Sequence, residues 1–289
     1  MKVLLLGAGG QLGMALQRLA PAGVDLATPT REELDICNAS QLREALSRFK
    51  PEVVINAAAY TEVDRAESER EKSFLVNAIA PGIVAESAAS LGARMLQVST
   101  DFVFSGDRPI PWERDAETAP VNVYGESKLA GERAVTRALG TGATVIRTSW
   151  LYGRYGKNFV MKMLDLMTTR EQIDVVYDQV GTPTWANSLT EALWVLACRP
   201  EVHGIQHWCD DGVASWYDFA VAIQEEALAR CLLRQRVSIR PIRSAMFPAP
   251  ARRPGFSVLE KGGTAAMLGI VTHHWRENLR TMLDELAAA

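Results

Sequence analysis

In the first half of the chain, apolar residues fall in short unbroken runs separated by amphipathic stretches. Lys2–Leu6 is such a run, closed by Gly7, the pattern of a strand buried on both faces of a parallel sheet. From Gln11 to Leu19, residues Leu12, Leu16 and Leu19 recur at helical spacing, and the pattern stops near Pro21. The alternation then continues. Strands are expected at Val24–Ala27, Val53–Ala57, Met95–Ser99 and Thr144–Thr148, and helices at Ala39–Phe49, Phe74–Leu91 and Tyr124–Leu139. This order predicts an α/β fold with a doubly wound parallel sheet, a Rossmann domain, over residues 1–150. After Trp150 the rhythm breaks. Short apolar pieces (Val175–Tyr177, Ile205–Trp208, Val237–Ile242) are unevenly spaced, and prolines cluster from Pro241 to Pro254. The expectation for 151–289 is a second, smaller mixed α/β substrate lobe built largely on loops, with some segments returning to the first domain. Its helices are placed at Ser188–Ala197, Trp216–Ala229 and His274–Leu286.

Composition narrows the class. With 289 residues, 48% of them hydrophobic, the chain can bury an ordinary core and is neither disordered nor fibrous. A net charge of −3 argues against nucleic acid as a partner. Runs such as Val3–Leu6 fall far short of the ~20 residues that span a bilayer, and Gly7 interrupts any signal-like segment, so a cytoplasmic protein without a membrane partner is expected. Cys37, Cys198, Cys209 and Cys231 lack metal-site or disulfide spacing and read as reduced thiols. One local bias stands out: Arg230, Arg234, Arg236, Arg240, Arg243, Arg252, Arg253 and Lys261 face the single acid Glu260, consistent with an anionic ligand or with a solvated basic face.

Between the first strand and first helix lies Gly7-Ala8-Gly9-Gly10-Gln11-Leu12-Gly13. A dinucleotide site needs no side chain at the tight turn, at the pyrophosphate, or where helix meets strand, and the helix N-terminus then offers N–H groups to the phosphates. An NAD site ends its second strand in an acid that binds the ribose 2′-hydroxyl. Here the segment is Ala27-Thr28-Pro29-Thr30-Arg31, and Arg31 suits a 2′-phosphate, so NADPH is expected, with NADH possible because Glu32 and Glu33 follow. Asp35 and Ile36 would then lie near the adenine.

Tyr124-Gly125-Glu126-Ser127-Lys128 puts a phenol and an ammonium on one helical face. An ammonium beside a phenol lowers its pKa, and such a tyrosine can give a proton to a developing alkoxide. Ser99-Thr100 closes a strand at its C-terminal end, where open α/β sheets bind ligands.

With Asn56-Ala57-Ala58-Ala59-Tyr60-Thr61 and Ser99-Thr100-Asp101, these motifs make the chain resemble the extended short-chain dehydrogenase/reductases acting on nucleotide sugars. Further phrases support the resemblance over nearly the whole length: Thr100-Asp101-Phe102-Val103-Phe104, Arg147-Thr148-Ser149-Trp150-Leu151-Tyr152-Gly153 and Arg252-Arg253-Pro254. The resemblance implies that Thr100, Tyr124 and Lys128 are catalytic, with Lys128 also holding the nicotinamide ribose. Gly7, Gly10, Gln11 and Leu12 would cradle the pyrophosphate, and Ala57, Ala58, Ala59 and Tyr60 would line the path to the nicotinamide. Asp101, Phe102 and Trp150 would border the sugar, with Asn158 and the Arg253 segment near the nucleotide diphosphate. The implied reaction is NADPH-dependent reduction of the C4 keto group of a 4-keto-6-deoxy sugar on dTDP, giving dTDP-L-rhamnose. Alternatives are a reductase or epimerase for another nucleotide sugar, or a silent NADP-binding regulatory subunit. Phe102 stands where dehydratases of this kind carry a Glu needed for elimination, which disfavours that reaction. Ala15, Asn187 and Ser188 stand where some relatives hold interfacial magnesium through carboxylates, so no such metal is expected. A homodimer is left open.

Overall fold

Alternate side chains of Lys2–Leu6 (β1) enter two different apolar layers: Val3 and Leu5 one, Leu4 and Leu6 the other. A strand covered on both faces has no polar side, which is why this run is unbroken. The computed structural model describes residues 1–288. Around β1 it assembles Asp25–Ala27 (β2), Val53–Asn56 (β3), Arg94–Thr100 (β4) and Ala143–Thr148 (β5) into one parallel sheet. The order β2-β1-β3-β4-β5 reverses direction between β1 and β3, and the ligand crevice of such sheets opens at that switch.

Helices cover both faces. Gln11–Arg18 (α1) packs on the Val3/Leu5 side, while Ala39–Phe49 (α2) buries Leu42 and Leu46 on the other, its N-terminus capped by Asn38. The third helix, Arg70–Ser90 (α3), begins at Arg70 rather than Phe74 and contains a π-helical stretch at Leu75–Ile79. By length and hydropathy α3 is apolar enough to cross a bilayer, although no single unbroken apolar run is; in this fold Val84, Ala85 and Ala88 pack into the core beside α2. Val123–Leu139 (α4) follows β4 and lies against α3.

The second half is more regular than its spacing suggests. Phe159–Thr169 (α5), absent from the expected elements, buries Val160, Met163 and Met167 at helical spacing. It packs with Trp216–Ala229 (α7) and Trp275–Ala287 (α9) in a separate core that includes Phe219, Ile223, Leu279 and Leu283. Gln172–Val176 (β6) pairs in parallel with Ser238–Ile242 (β8) as a two-stranded ribbon. Between these, Ala186–Ala197 (α6) and Gly204–His207 (β7) leave the lobe. Leu189, Leu193 and Trp194 of α6 share the layer of Val3 and Leu5, and β7 extends the main sheet beside β5. The short helix Gly262–Leu268 (α8) adds Leu268 to the same layer.

Candidate active site

The glycine loop divides its tasks by steric need. Gly7 has φ +83°, and a Cβ there would lie 2.5 Å from the amide nitrogen of Ala58. A Cβ on Gly13 would lie 2.2 Å from the Gly7 carbonyl oxygen. Gly9 differs: a Cβ would meet nothing within 4 Å, so its bareness serves open space rather than packing. No side chain caps the α1 N-terminus and no acid stands in its first turn. This is a cradle that fits a pyrophosphate. On one side lies a cleft of about 360 Å³ lined by Gly7, Gly9, Gly10, Arg31, Asp35, Ile36 and the Ala57–Tyr60 segment. Glu33, whose proximity to Arg31 left NADH open, accepts a hydrogen bond from the Thr30 amide at 2.8 Å and is held below the usual carboxylate range by it. That carboxylate is engaged with the backbone, and the charged side chains lining the cleft are Arg31, Asp35 and Lys72.

On the other side, a second cleft of about 570 Å³ brings together Gly10, Gln11, Leu12, Thr100, Asp101, Tyr124, Lys128 and Trp150. Thr100 arrives on β4 and Tyr124 with Lys128 on α4, which approaches closely because Gly125 has no Cβ; one would lie 2.2 Å from the Phe102 carbonyl oxygen. Asn122 caps α4 through the Gly125 amide, 2.8 Å away. The Thr100 hydroxyl donates to Asp101 Oδ1 at 3.0 Å and accepts from the Phe102 amide at 3.2 Å. Phe102 packs edge-on against the Tyr124 ring, with centroids 5.7 Å apart, and does not line the cleft.

The electrostatics differ from the spacing argument. Burial pushes the Tyr124 phenol up to about 12, opposed by the neighbouring Thr100 hydroxyl and reinforced by the Asp101 charge. Lys128 contributes nothing to this shift; its ammonium donates to the Val98 carbonyl at 2.7 Å and makes no hydrogen bond to the phenol. Burial pulls Lys128 itself down to about 8, with Glu132 acting the other way. Asp101 is raised to about 6 by desolvation, and its Oδ2 is buried without a partner. Without a bound cofactor, the phenol is thus a neutral proton donor at neutral pH.

Two substrate candidates sit differently from expectation. Asn158 caps α5, accepting from the Met161 amide at 3.2 Å and donating to the Gly153 carbonyl at 2.7 Å, so both ends of its amide are spent inside its own loop. Arg253 donates to Asp64 Oδ2 at 2.8 Å and lies outside the catalytic cleft, on the wall of a neighbouring slot of about 690 Å³. That slot is lined by Phe159, Trp216, Lys162 and Arg252 among others. Trp150, with φ +46°, stacks flat on Trp216 at 3.5 Å between centroids, so the pair forms the partition between slot and cleft. Half of the eight basic residues after Leu228 are spent in ion pairs: Arg230 with Asp284 and Glu226, Arg240 with Asp174, Arg253 with Asp64, Lys261 with Asp211.

Sequence reading missed the side chains that fix these walls, since their partners are remote in the chain. Asn77, in the π-helical stretch, accepts from the Tyr60 amide at 2.8 Å and donates to the Tyr60 carbonyl at 3.0 Å. It also donates to Ser127 of α4 at 3.0 Å, and Gly131 lets α4 close on it. Behind Lys128, Glu132 forms a buried ion pair with Arg147.

Fold and site together define a dinucleotide-binding oxidoreductase scaffold of the short-chain dehydrogenase/reductase kind. The chain belongs to the family described as the RmlD substrate binding domain, whose model matches residues 1–288. It is 37% identical to dTDP-4-dehydrorhamnose reductase of Escherichia coli K12, covering 99% of this chain and 98% of that one. It is 40% identical to a probable dTDP-4,6-dihydroxy-2-methyloxan-3-one 4-ketoreductase of Streptomyces antibioticus, covering 100% and 97%. The crystal structure of dTDP-4-dehydrorhamnose reductase from Bacillus anthracis in complex with NADP superposes with a TM-score of 0.92 at 36% identity, covering 98% and 99%.

Proposed function

We propose that this chain reduces the C4 keto group of dTDP-4-dehydro-6-deoxy-L-mannose with NADPH, yielding dTDP-L-rhamnose in the cytoplasm. The observation that carries the reading is the single cleft shared by Thr100, Tyr124, Lys128 and the unobstructed α1 N-terminus, in a chain matched end to end by reductases. Gly7, Gly9, Gly10, Gln11 and Leu12 would hold the pyrophosphate, Arg31 the 2′-phosphate, and Lys128 the nicotinamide ribose. The bound cofactor supplies the hydride. Tyr124, protonated in its buried site, gives its proton to the C4 oxygen as negative charge develops there. Thr100 orients that oxygen by turning to it the one hydroxyl proton it otherwise donates to Asp101. Trp150 borders the sugar, and the slot beyond it takes the nucleotide, with Lys162 and Arg252 facing its phosphates.

A second reading keeps the chemistry and changes the sugar, and the 40% identity to the Streptomyces ketoreductase favours it specifically. The test is NADPH oxidation followed at 340 nm with enzymatically generated dTDP-4-dehydro-L-rhamnose. Rapid loss with dTDP-L-rhamnose as product supports the first reading. Turnover only with another dTDP-4-ketosugar supports the second, and NADPH binding without turnover of either defeats both.

A further inference from the structure

Three charged side chains lie buried together behind the catalytic cleft, and the proposed reaction uses only one. Lys128 and Glu132 occupy successive turns of α4, and Arg147 enters from β5, where it is register partner of Ser99 on β4. Glu132 and Arg147 are only 3% and 4% exposed. Arg147 grips the carboxylate with two hydrogen bonds, Nε to Oε1 at 2.9 Å and Nη2 to Oε2 at 2.7 Å, and Ser99 adds a third at 2.5 Å. So many donors fix the position of the Glu132 carboxyl group beside Arg147. The Lys128 ammonium, by contrast, has one protein acceptor, the uncharged Val98 carbonyl. A buried ammonium with a single neutral acceptor loses its proton unless a counter-charge is near.

From this arrangement we infer that Glu132, clamped by Arg147 and Ser99, is a positioning residue that serves as the counter-charge holding Lys128 in its ammonium form. The other titratable or charged groups around Lys128 are Tyr124 on its own helix, Asp101 after β4 and Arg147 on β5, with Glu62 and Lys157 on the same cleft wall; from α3, Arg70 pairs with Glu126 of α4, and Ser73 and Asn77 bond to Ser127. With Glu132 present the buried trio carries one net positive charge. Without it, two cations are left unrelieved. Burial already brings Lys128 to about 8, so the loss falls within the working pH range. The inference rests on the reductase reading for the importance of Lys128, but not for its measurement.

The test is a lysine 13Cε NMR titration of the cofactor-free protein, with the Lys128 signal assigned by Lys128→Met. Glu132→Gln should lower the Lys128 midpoint by at least one pH unit. Arg147→Met, which leaves Lys128 as the nearest cation to Glu132, should raise it. Ser99→Ala removes one hydrogen bond and no charge, and should leave the midpoint within a few tenths while still disturbing the network. In the parent enzyme, the basic limb of kcat/KM should follow the same midpoint. Equal shifts in all three variants, or shifts of one sign, would mean a structural network and overturn the inference. Should Glu132→Gln fail to fold, a Lys128 midpoint that does not rise in Arg147→Met overturns it alone. Failure of the parent to oxidise NADPH strikes the reductase reading and leaves this titration standing.

Discussion

In the proposed reaction, Tyr124 is the residue on which the chemistry turns. Its phenol, pushed up to about 12 by burial, keeps its proton at neutral pH. Tyr124→Phe keeps the ring packed against Phe102 and should lower kcat by about 10²–10⁴-fold while leaving the NADPH dissociation constant near parental, measured by fluorescence titration. A second residue-scale prediction concerns Asp210, buried beneath the Trp185 amide that donates to it at 3.0 Å. Burial raises its carboxyl from 3.8 to about 6. The folded state therefore binds a proton more tightly than the unfolded state, so this group's contribution is fully present below about pH 4 and is lost as pH rises through about 6. Urea unfolding from pH 4 to 7 should show a shallower decline, or steeper rise, in Asp210→Asn than in the parent. At this scale the sequence was legible where chemistry is local. Thr100, Tyr124 and Lys128 announce themselves by strand end and helical spacing. Asn158 did not, because an N-cap and a ligand look alike until the helix after it is known. Asn77, Glu132 and Arg147 were silent because each acts on a partner from another part of the chain.

The glycine loop is the element where packing and ligand space separate most sharply. Gly13 lies between helix and strand, and a methyl there must displace the Gly7 carbonyl, so Gly13→Ala should cost roughly 1–3 kcal/mol in urea unfolding and abolish tight NADPH binding. Gly9 faces open space with ordinary backbone angles. Gly9→Ala should leave the melting temperature near parental and still weaken NADPH by about tenfold, since its methyl enters the volume assigned to the pyrophosphate. Parental affinity in Gly9→Ala would move the phosphates elsewhere. Elements with a single buried face, such as α2, appear in the sequence with correct bounds because periodicity alone defines them. The π-helical stretch of α3 has no such signature: it arises where Asn77 must turn inward to hold the Tyr60 segment, a demand set by tertiary contact.

For the whole molecule, sequence order is a poor guide to spatial order in the second half. Residues of α6 and β7 return to the main sheet, and nothing in their pattern distinguishes them from lobe elements, because Leu189 and Leu193 would suit either core. The return has a functional consequence: it leaves α5, α7 and the 244–253 segment to form a slot on one side of the Trp150–Trp216 stack, with the catalytic cleft on the other. In the proposed reading the substrate spans the two spaces, its ketosugar on the Trp150 side and its nucleotide on the Trp216 side. Trp216 also touches Phe159 at 4.6 Å between centroids, so the slot's aromatic wall is continuous. Removing it takes away binding surface remote from the reacting carbon, which is felt equally in the ground and transition states. Trp216→Ala should therefore raise KM for the nucleotide sugar by about tenfold, with kcat and the NADPH dissociation constant within about twofold of parental. Steady-state kinetics with each substrate varied in turn decides it. A fall in kcat at unchanged KM would instead assign Trp216 to orienting the sugar through Trp150, and the nucleotide would then lie outside the slot.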